Sequence, residues 1–244
     1  MGIVLHGVAS PNVLKVGIML EECGLPYESR YVALFSGKQF EPEFLAKNPL
    51  GKVPVLEDPQ LGQPLFESGA ILLWLAEREG AFLPHAPAPR AEVIQWLMVQ
   101  MANIGPMFGQ LNHFRMSLAL QGDPYATGRY QAASERLYRM LDERLQDREW
   151  IAADAYSIAD MAIWPWSQYL ERHGLDPADY PALVRWRKEI GDRPAVARAR
   201  KAWIEAFADA GQADVKASTD DQLDRFFGRT AQMPAADFSN LRHR

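Results

Sequence analysis

Two neighbouring stretches decide how this chain folds: GKVPVL (residues 51–56) and LFESGAILLWLAE (residues 65–77). In the first, Pro54 stands at the entry to a short apolar strand, where its missing N–H interrupts no central ladder bond. Val53-Pro54 is therefore a candidate cis peptide bond. The Val53 N–H and C=O would be free to pair with an extended peptide, as an added strand does. In the second stretch, Pro64 to Phe66 reads as another short strand, and Glu67 to Glu79 as a strong helix. Glu67-Ser68 has two readings. The pair caps the helix, or the Ser68 hydroxyl and nearby N–H groups hold a ligand carboxylate while Glu67 takes an ammonium.

Strands and helices alternate through the preceding residues. Ile3 to Val8 and Tyr27 to Leu34 read as strands, Pro11 to Cys23 as a helix ending at Gly24, and Pro42 to Lys47 as a short helix. Ser10 is a natural N-cap with Pro11 at the first helical position. The same helix start presents free N–H groups and partial positive charge, which favour a bound anion such as a thiolate.

Composition changes after residue 82. LPHAPAPR (residues 83–90) reads as a proline-rich linker. Beyond it only helical patterns recur: 90–120, bent near Gly105-Pro106 because proline lacks the N–H for its i−4 bond, then 125–146, 157–173, 180–190 and 194–208. The expected plan is an α/β domain (1–82), the linker (83–90), an all-helical domain (91–209) and a polar tail (210–244). Part of that tail is expected to pack back through Phe226, Phe227 and Phe238, and part to be disordered.

The 244 residues are 48% apolar and carry a formal net charge of −5, which disfavours a nucleic-acid partner bound through its backbone. Cys23 is the one cysteine, so there is neither an internal disulfide nor a thiolate-rich metal site. This fits a reducing cytoplasm. Near the C-terminal end of its helix, Cys23 reads as a small packed residue rather than a nucleophile. The longest apolar run, Ala70 to Ala76, is too short to cross a bilayer, and the first residues carry no secretory pattern.

A turn leading into a helix, a Val-Pro strand entry, Glu-Ser at a helix start and a proline-rich hinge before five helices together resemble the cytosolic glutathione transferases, across residues 3 to 208. FESGAILLWLAE and NPLGKVPVL carry most of that likeness, and SIAD (residues 157–160) matches the family's capping box in the helical domain. SPN, FSGKQFEPEFLAKNP, GPMFGQLNHF, PYATGRY and SIADMAIWPW are similar to the bacterial nu class and to the fungal nitrogen-regulator proteins. Ser10 replaces the threonine usual in that turn, keeping the hydroxyl and dropping a methyl.

The resemblance implies a thioredoxin-like first domain (βαβ-α-ββα), an all-α second domain, a homodimer, and glutathione as cosubstrate without a metal. It implies catalytic roles for Ser10 and Asn12, leaving open which touches sulfur. The Val53 backbone, beside Pro54, would pair with the glutathione cysteine. Glu67 and Ser68 would take the γ-glutamyl end, and Gln39, Lys52 and Arg129 would reach carboxylates. His113, Met107 and Phe108 fall in the segment expected to line a second-substrate pocket, but a structural histidine is the favoured reading of His113 and an exposed helix charge that of Arg129.

The implied chemistry is reduction of a small disulfide by bound glutathione. Peroxide reduction and conjugation to electrophiles are lesser alternatives. A non-catalytic regulatory module is another, disfavoured because the Gln/Asn-rich extension of the fungal proteins has no counterpart here. A free thiol of pKa about 8.5 is only a few per cent thiolate at neutral pH. Lowering that pKa by about two units stabilises the anion by ~2.7 kcal/mol. A helix end contributes ~0.3–1 kcal/mol when exposed, and a hydrogen bond to a charged atom roughly 1.5–3 kcal/mol. A side-chain donor is therefore required beside the helix.

Overall fold

The computed structural model describes residues 2–117, 124–233 and 236–242. Its first domain is built on a four-stranded sheet in the order β2-β1-β3-β4, from β1 (Ile3–Gly7), β2 (Tyr27–Tyr31), β3 (Val55–Glu57) and β4 (Pro64–Phe66). β1 pairs parallel with β2, Leu5 opposite Ser29, and antiparallel with β3, Leu5 opposite Leu56. Helix α1 (Pro11–Glu22) makes the crossover that a parallel β1–β2 pair needs. Short α2 (Pro42–Leu45) leads towards β3, and α3 (Ser68–Glu79) follows β4, completing a thioredoxin-like domain.

Helix α1 is enclosed on every side. Val13 through Leu20 are all buried, and the helix packs on α3 and on two helices of the second domain, α7 (Ile158–Ser167) and α9 (Pro194–Arg200). Gly17 allows the closest approach. A Cβ there would lie 2.7 Å from Trp203 Cδ1, so only glycine lets the indole rest on the helix. Trp203 is fully buried, and its indole N–H donates to the Tyr27 hydroxyl at 3.2 Å.

The second domain holds α4 (Pro87–Val99), α5 (Gly105–Asn112), α6 (Pro124–Leu145), α7, α8 (Pro181–Gly191) and α9. Proline stands near the start of α4, α8 and α9, where its fixed φ suits the first turn and its missing N–H costs nothing. The proline-rich stretch is thus partly helix, since α4 begins at Pro87. The helical run from 87 is interrupted by a π turn at Gln100–Ile104, which ends two residues before Pro106, a residue that cannot donate an i−4 bond. Residues 118–120 of the run expected to reach 120 lie outside the described residues. The strand expected to reach Leu34 ends at Tyr31, and the helix expected to reach His173 ends at Ser167.

Residues beyond 207 form α10 (Ala208–Ala217), α11 (Asp220–Phe226) and short α12 (Ser239–Arg242). They fold back onto the loop after β2. Asp214 accepts from the Phe35 and Ser36 N–H groups at 2.9 and 3.1 Å, and the Gln222 side chain donates to the Ser36 carbonyl at 2.9 Å. Arg225 lies over the Phe40 ring at 4.2 Å, and Leu223 and Phe238 form a small core with Phe35 and Phe227. Residues 234–235 and 243–244 of the expected tail lie outside the described residues.

Asp160 anchors the second domain. Its carboxylate accepts from the Ser157 N–H and hydroxyl (3.0 Å each), the Ile151 N–H and the Trp186 indole (2.9 Å each). Asp160→Ala leaves these buried donors unpaired. The expected loss of unfolding free energy is ~3 kcal/mol or more, measurable by urea denaturation; a loss below ~1 kcal/mol would show the box to be dispensable.

Candidate functional site

A cleft of about 350 Å³ opens between the domains. Asn12, Lys15, Asn48, Lys52, Val53, Pro54, Glu67 and Ser68 line it from the first domain, and Gln100, Met101, Gly105, Pro106, Gly109, Gln110 and Trp166 from the second.

Three local devices form the first-domain wall. The first is the start of α1. Ser10 caps it, its hydroxyl oxygen accepting from the Val13 N–H at 3.4 Å, and Ser10 is not among the lining residues. Asn12, the second residue of the helix, accepts at Oδ1 from the Trp166 indole N–H at 2.9 Å. An indole N–H can only donate, so the atom facing Trp166 is the amide oxygen, and the amide NH₂ is left as a donor at the cleft.

The second device is the loop before β3. Asn48 is buried; its amide donates to the Lys52 carbonyl at 2.7 Å and its oxygen accepts from the Leu50 N–H at 3.0 Å. Gly51 has φ +60°, and a Cβ there would meet the Gln39 carbonyl and the Phe40 ring at 3.2 Å. Val53-Pro54 is cis, and both residues line the cleft.

The third is the β4–α3 junction. Glu67 has φ 68° and ψ 112°, outside the regions a side chain normally allows, and is exposed. Ser68 is buried, with its Oγ 3.3 Å from the Lys15 ammonium.

The structure therefore brings Asn12, Lys52, Val53, Pro54, Glu67 and Ser68 together around one space. The other candidate residues stand elsewhere. Gln39 is buried behind Gly51, its Oε1 without a partner. Arg129 is exposed on α6 and lines a separate groove with Met107 and Tyr125. His113 touches Phe114 and Phe227, and burial and Arg229 lower its pKa. Phe108 is fully buried and stacked on Tyr138 at 4.2 Å, which makes it core rather than pocket surface. Cys23 is half-buried, and burial, with Glu79 nearby, pushes its thiol up to about 11, the wrong direction for a nucleophile.

Sequence reasoning missed Lys15, Asn48, Gln100 and Trp166. Lys15 carried a signal: a lone charge within the apolar run Val13 to Leu20. It also sits three residues after Asn12, on the same helix face.

A thioredoxin-like domain carrying a cis Val-Pro and a Glu-Ser helix start, closed by a helical domain, defines the two-domain class to which glutathione transferases belong. The family comparison agrees. The model of the glutathione S-transferase N-terminal domain matches residues 9–78, and that of the C-terminal domain residues 124–194. The chain is 45% identical to the disulfide-bond oxidoreductase YfcG of Escherichia coli over 200 residues, 80% of this chain and 93% of that protein. A glutathione transferase family member from Pseudomonas fluorescens, solved with two glutathione bound, superposes with TM-score 0.75 and 42% identity over 81% of this chain and 92% of that one. A Pseudomonas putida glutathione transferase with one glutathione disulfide bound per subunit gives TM-score 0.76 and 40% identity, covering 82% of this chain and 91% of that one. This chain belongs to the glutathione transferase family. Among the described residues no helix is long and apolar enough to cross a membrane.

Asn48→Ala removes both bonds that hold the loop leading to Val53. The expected cost is ~2 kcal/mol, read as a lower urea midpoint. An unchanged midpoint would mean the loop is held without them.

Proposed function

We propose that this chain binds glutathione in the interdomain cleft and uses its thiolate to reduce small disulfides. The observation that carries the reading is Asn12, which lines the cleft at the start of α1 with its amide oxygen held by the Trp166 indole, so that the NH₂ is the group it has to offer a ligand. Asn12 cannot ionise, so it offers a hydrogen to an anion without competing for a proton. One charge-assisted bond of ~1.5–3 kcal/mol with a helix end of ~1 kcal/mol covers the ~2.7 kcal/mol that ionisation near neutral pH requires. Between the two residues of the turn, the geometry favours Asn12 as the sulfur donor and Ser10 as the helix cap.

The Val53 backbone pairs with the cysteine of glutathione. Glu67 takes the γ-glutamyl ammonium, Ser68 the adjacent carboxylate, and Lys52, which lines the same cleft, reaches a carboxylate. The thiolate attacks one sulfur of the disulfide, forming a mixed disulfide and releasing the other sulfur as thiolate, which takes a proton from water. A second glutathione thiolate attacks the glutathione sulfur of the mixed disulfide. Glutathione disulfide forms and the second substrate thiolate leaves. No cysteine of the protein enters the cycle. Peroxide reduction and conjugation would draw on the same thiolate, and YfcG's name as a disulfide-bond oxidoreductase supports ranking disulfides first. The reading includes the homodimer and cytoplasmic location that the family resemblance implies.

The test compares glutathione-dependent reduction of 2-hydroxyethyl disulfide, followed by a coupled reductase assay, with conjugation of a chloronitrobenzene. Disulfide turnover should be the faster. Asn12→Ala should lower its kcat/KM about 10- to 100-fold, and Trp166→Phe, which frees the Asn12 amide to rotate, by a smaller factor. Wild-type turnover no faster than the uncatalysed rate, or unchanged turnover in Asn12→Ala, would refute the assignment.

A further inference from the structure

Lys15 is a fully buried lysine hydrogen-bonded to uncharged groups. Its ammonium donates to Gln100 Oε1 at 2.6 Å and to Ser68 Oγ at 3.3 Å, and lies 3.8 Å from Met101 Sδ. Among the described residues it forms no ion pair. Of the groups lining the same cleft, Glu67 is acidic but exposed and acts on Lys15 only through space; Lys52 is basic and exposed, and Trp166 carries no charge. A buried cation held by neutral partners alone is costly, and buried charges are normally paired.

The Lys15 partner Gln100 carries a buried donor that is itself unanswered. Gln100 is fully buried and its Nε2 has no partner in the protein. With Oε1 committed to Lys15, the amide NH₂ is left over, in a space kept open by Gly105, where a Cβ would lie 2.9 Å from that nitrogen. A cation bonded to neutral groups and an amide nitrogen without an acceptor thus meet at the Lys15–Gln100 bond, one from each domain, and the same cation reaches the Ser68 hydroxyl.

We propose that Lys15, fixed by Gln100, is the positioning residue for the γ-glutamyl carboxylate of glutathione at Ser68. The ammonium donates to a lone pair of Ser68 Oγ, and the hydroxyl hydrogen, directed at Met101 Sδ at 3.7 Å in this structure, turns to the ligand carboxylate when it arrives. The same ammonium supplies the positive charge that the carboxylate meets on leaving water. Lys15 does not touch the ligand; it acts through Ser68. Because Gln100 comes from the helical domain, the carboxylate is read by both domains at once. This inference rests on the glutathione-binding reading above and assigns one end of the ligand within it.

Protonation follows from the same geometry. Burial lowers the Lys15 pKa to about 7, with Glu67 opposing the shift. An arriving carboxylate restores the charged form, so binding near pH 8 takes up a proton. The pH dependence of the free protein runs the other way round. Between about 7 and the ordinary 10.5, the unfolded chain binds more protons than the folded one, so Lys15 makes stability rise with pH through that window.

The experiment is titration calorimetry at pH 8 with S-hexylglutathione, whose blocked thiol cannot release a proton, in two buffers of different ionisation enthalpy. The wild type should bind with uptake of about half a proton or more. Lys15→Met should bind at least about 10-fold more weakly, without that uptake. By urea denaturation the free variant should be no less stable than the wild type at pH 7 and should lack the rise in stability toward pH 10. Binding by the wild type with no proton uptake overturns the Lys15 role whether or not the variant folds, and so does a variant of unchanged affinity. A wild type that does not bind S-hexylglutathione refutes the glutathione reading itself.

Discussion

The bond between the Trp166 indole and Asn12 Oδ1 joins the two domains at the point where chemistry is expected. It depends on α7 lying against α1, and that contact depends on α1 being buried from Val13 through Leu20. A helix enclosed in this way has one free end, its start, and that end faces the cleft. The partial positive end of the helix and the Asn12 amide are thereby held at one space by packing forces acting further along the helix. Gly17 beneath Trp203 belongs to the same arrangement, because a side chain there would push the second domain off the first.

The opposite wall is made of backbone rather than side chains. Asn48 ties down the loop before β3, Gly51 passes close to the Gln39 carbonyl, and Val53-Pro54 carries the chain into β3. Glu67 holds a positive φ between two well-paired elements, β4 and α3. Such a conformation persists only when its surroundings over-determine it. Here a strand end and a helix start fix both of its neighbours, and the Glu67 side chain is left exposed at the cleft.

Outside the cleft, the residues after 207 act as a clasp on the loop that follows β2. Asp214 takes two consecutive backbone N–H groups of that loop, and Phe226 packs on Phe35 at 4.5 Å. Phe227 reaches across to His113 of the helical domain at 5.9 Å. The loop continues into the turn that carries Gln39, so its shape is set by residues nearly two hundred positions later in the chain. His113, which the sequence offered as a pocket residue, is an aromatic neighbour in this clasp.

The sequence by itself determined the two-domain plan. Strand–helix alternation, the prolines before residue 90 and the helical periods beyond are local patterns, and local patterns are what a sequence displays. It also displayed most of the residues of the first-domain wall, because Asn12, GKVPVL and FES lie in contiguous motifs, while Asn48 and the elements on either side of Glu67 hold those motifs in shape. Tertiary structure alone decided what those motifs face. No spacing rule connects Asn12 to Trp166 or Lys15 to Gln100, which lie 154 and 85 residues apart and meet only because α1 is packed between domains. For the same reason Phe108 turned inward to Tyr138 and Arg129 outward to a separate groove. Helical period gives a residue its face; only the packed neighbours say whether that face meets core, cleft or water.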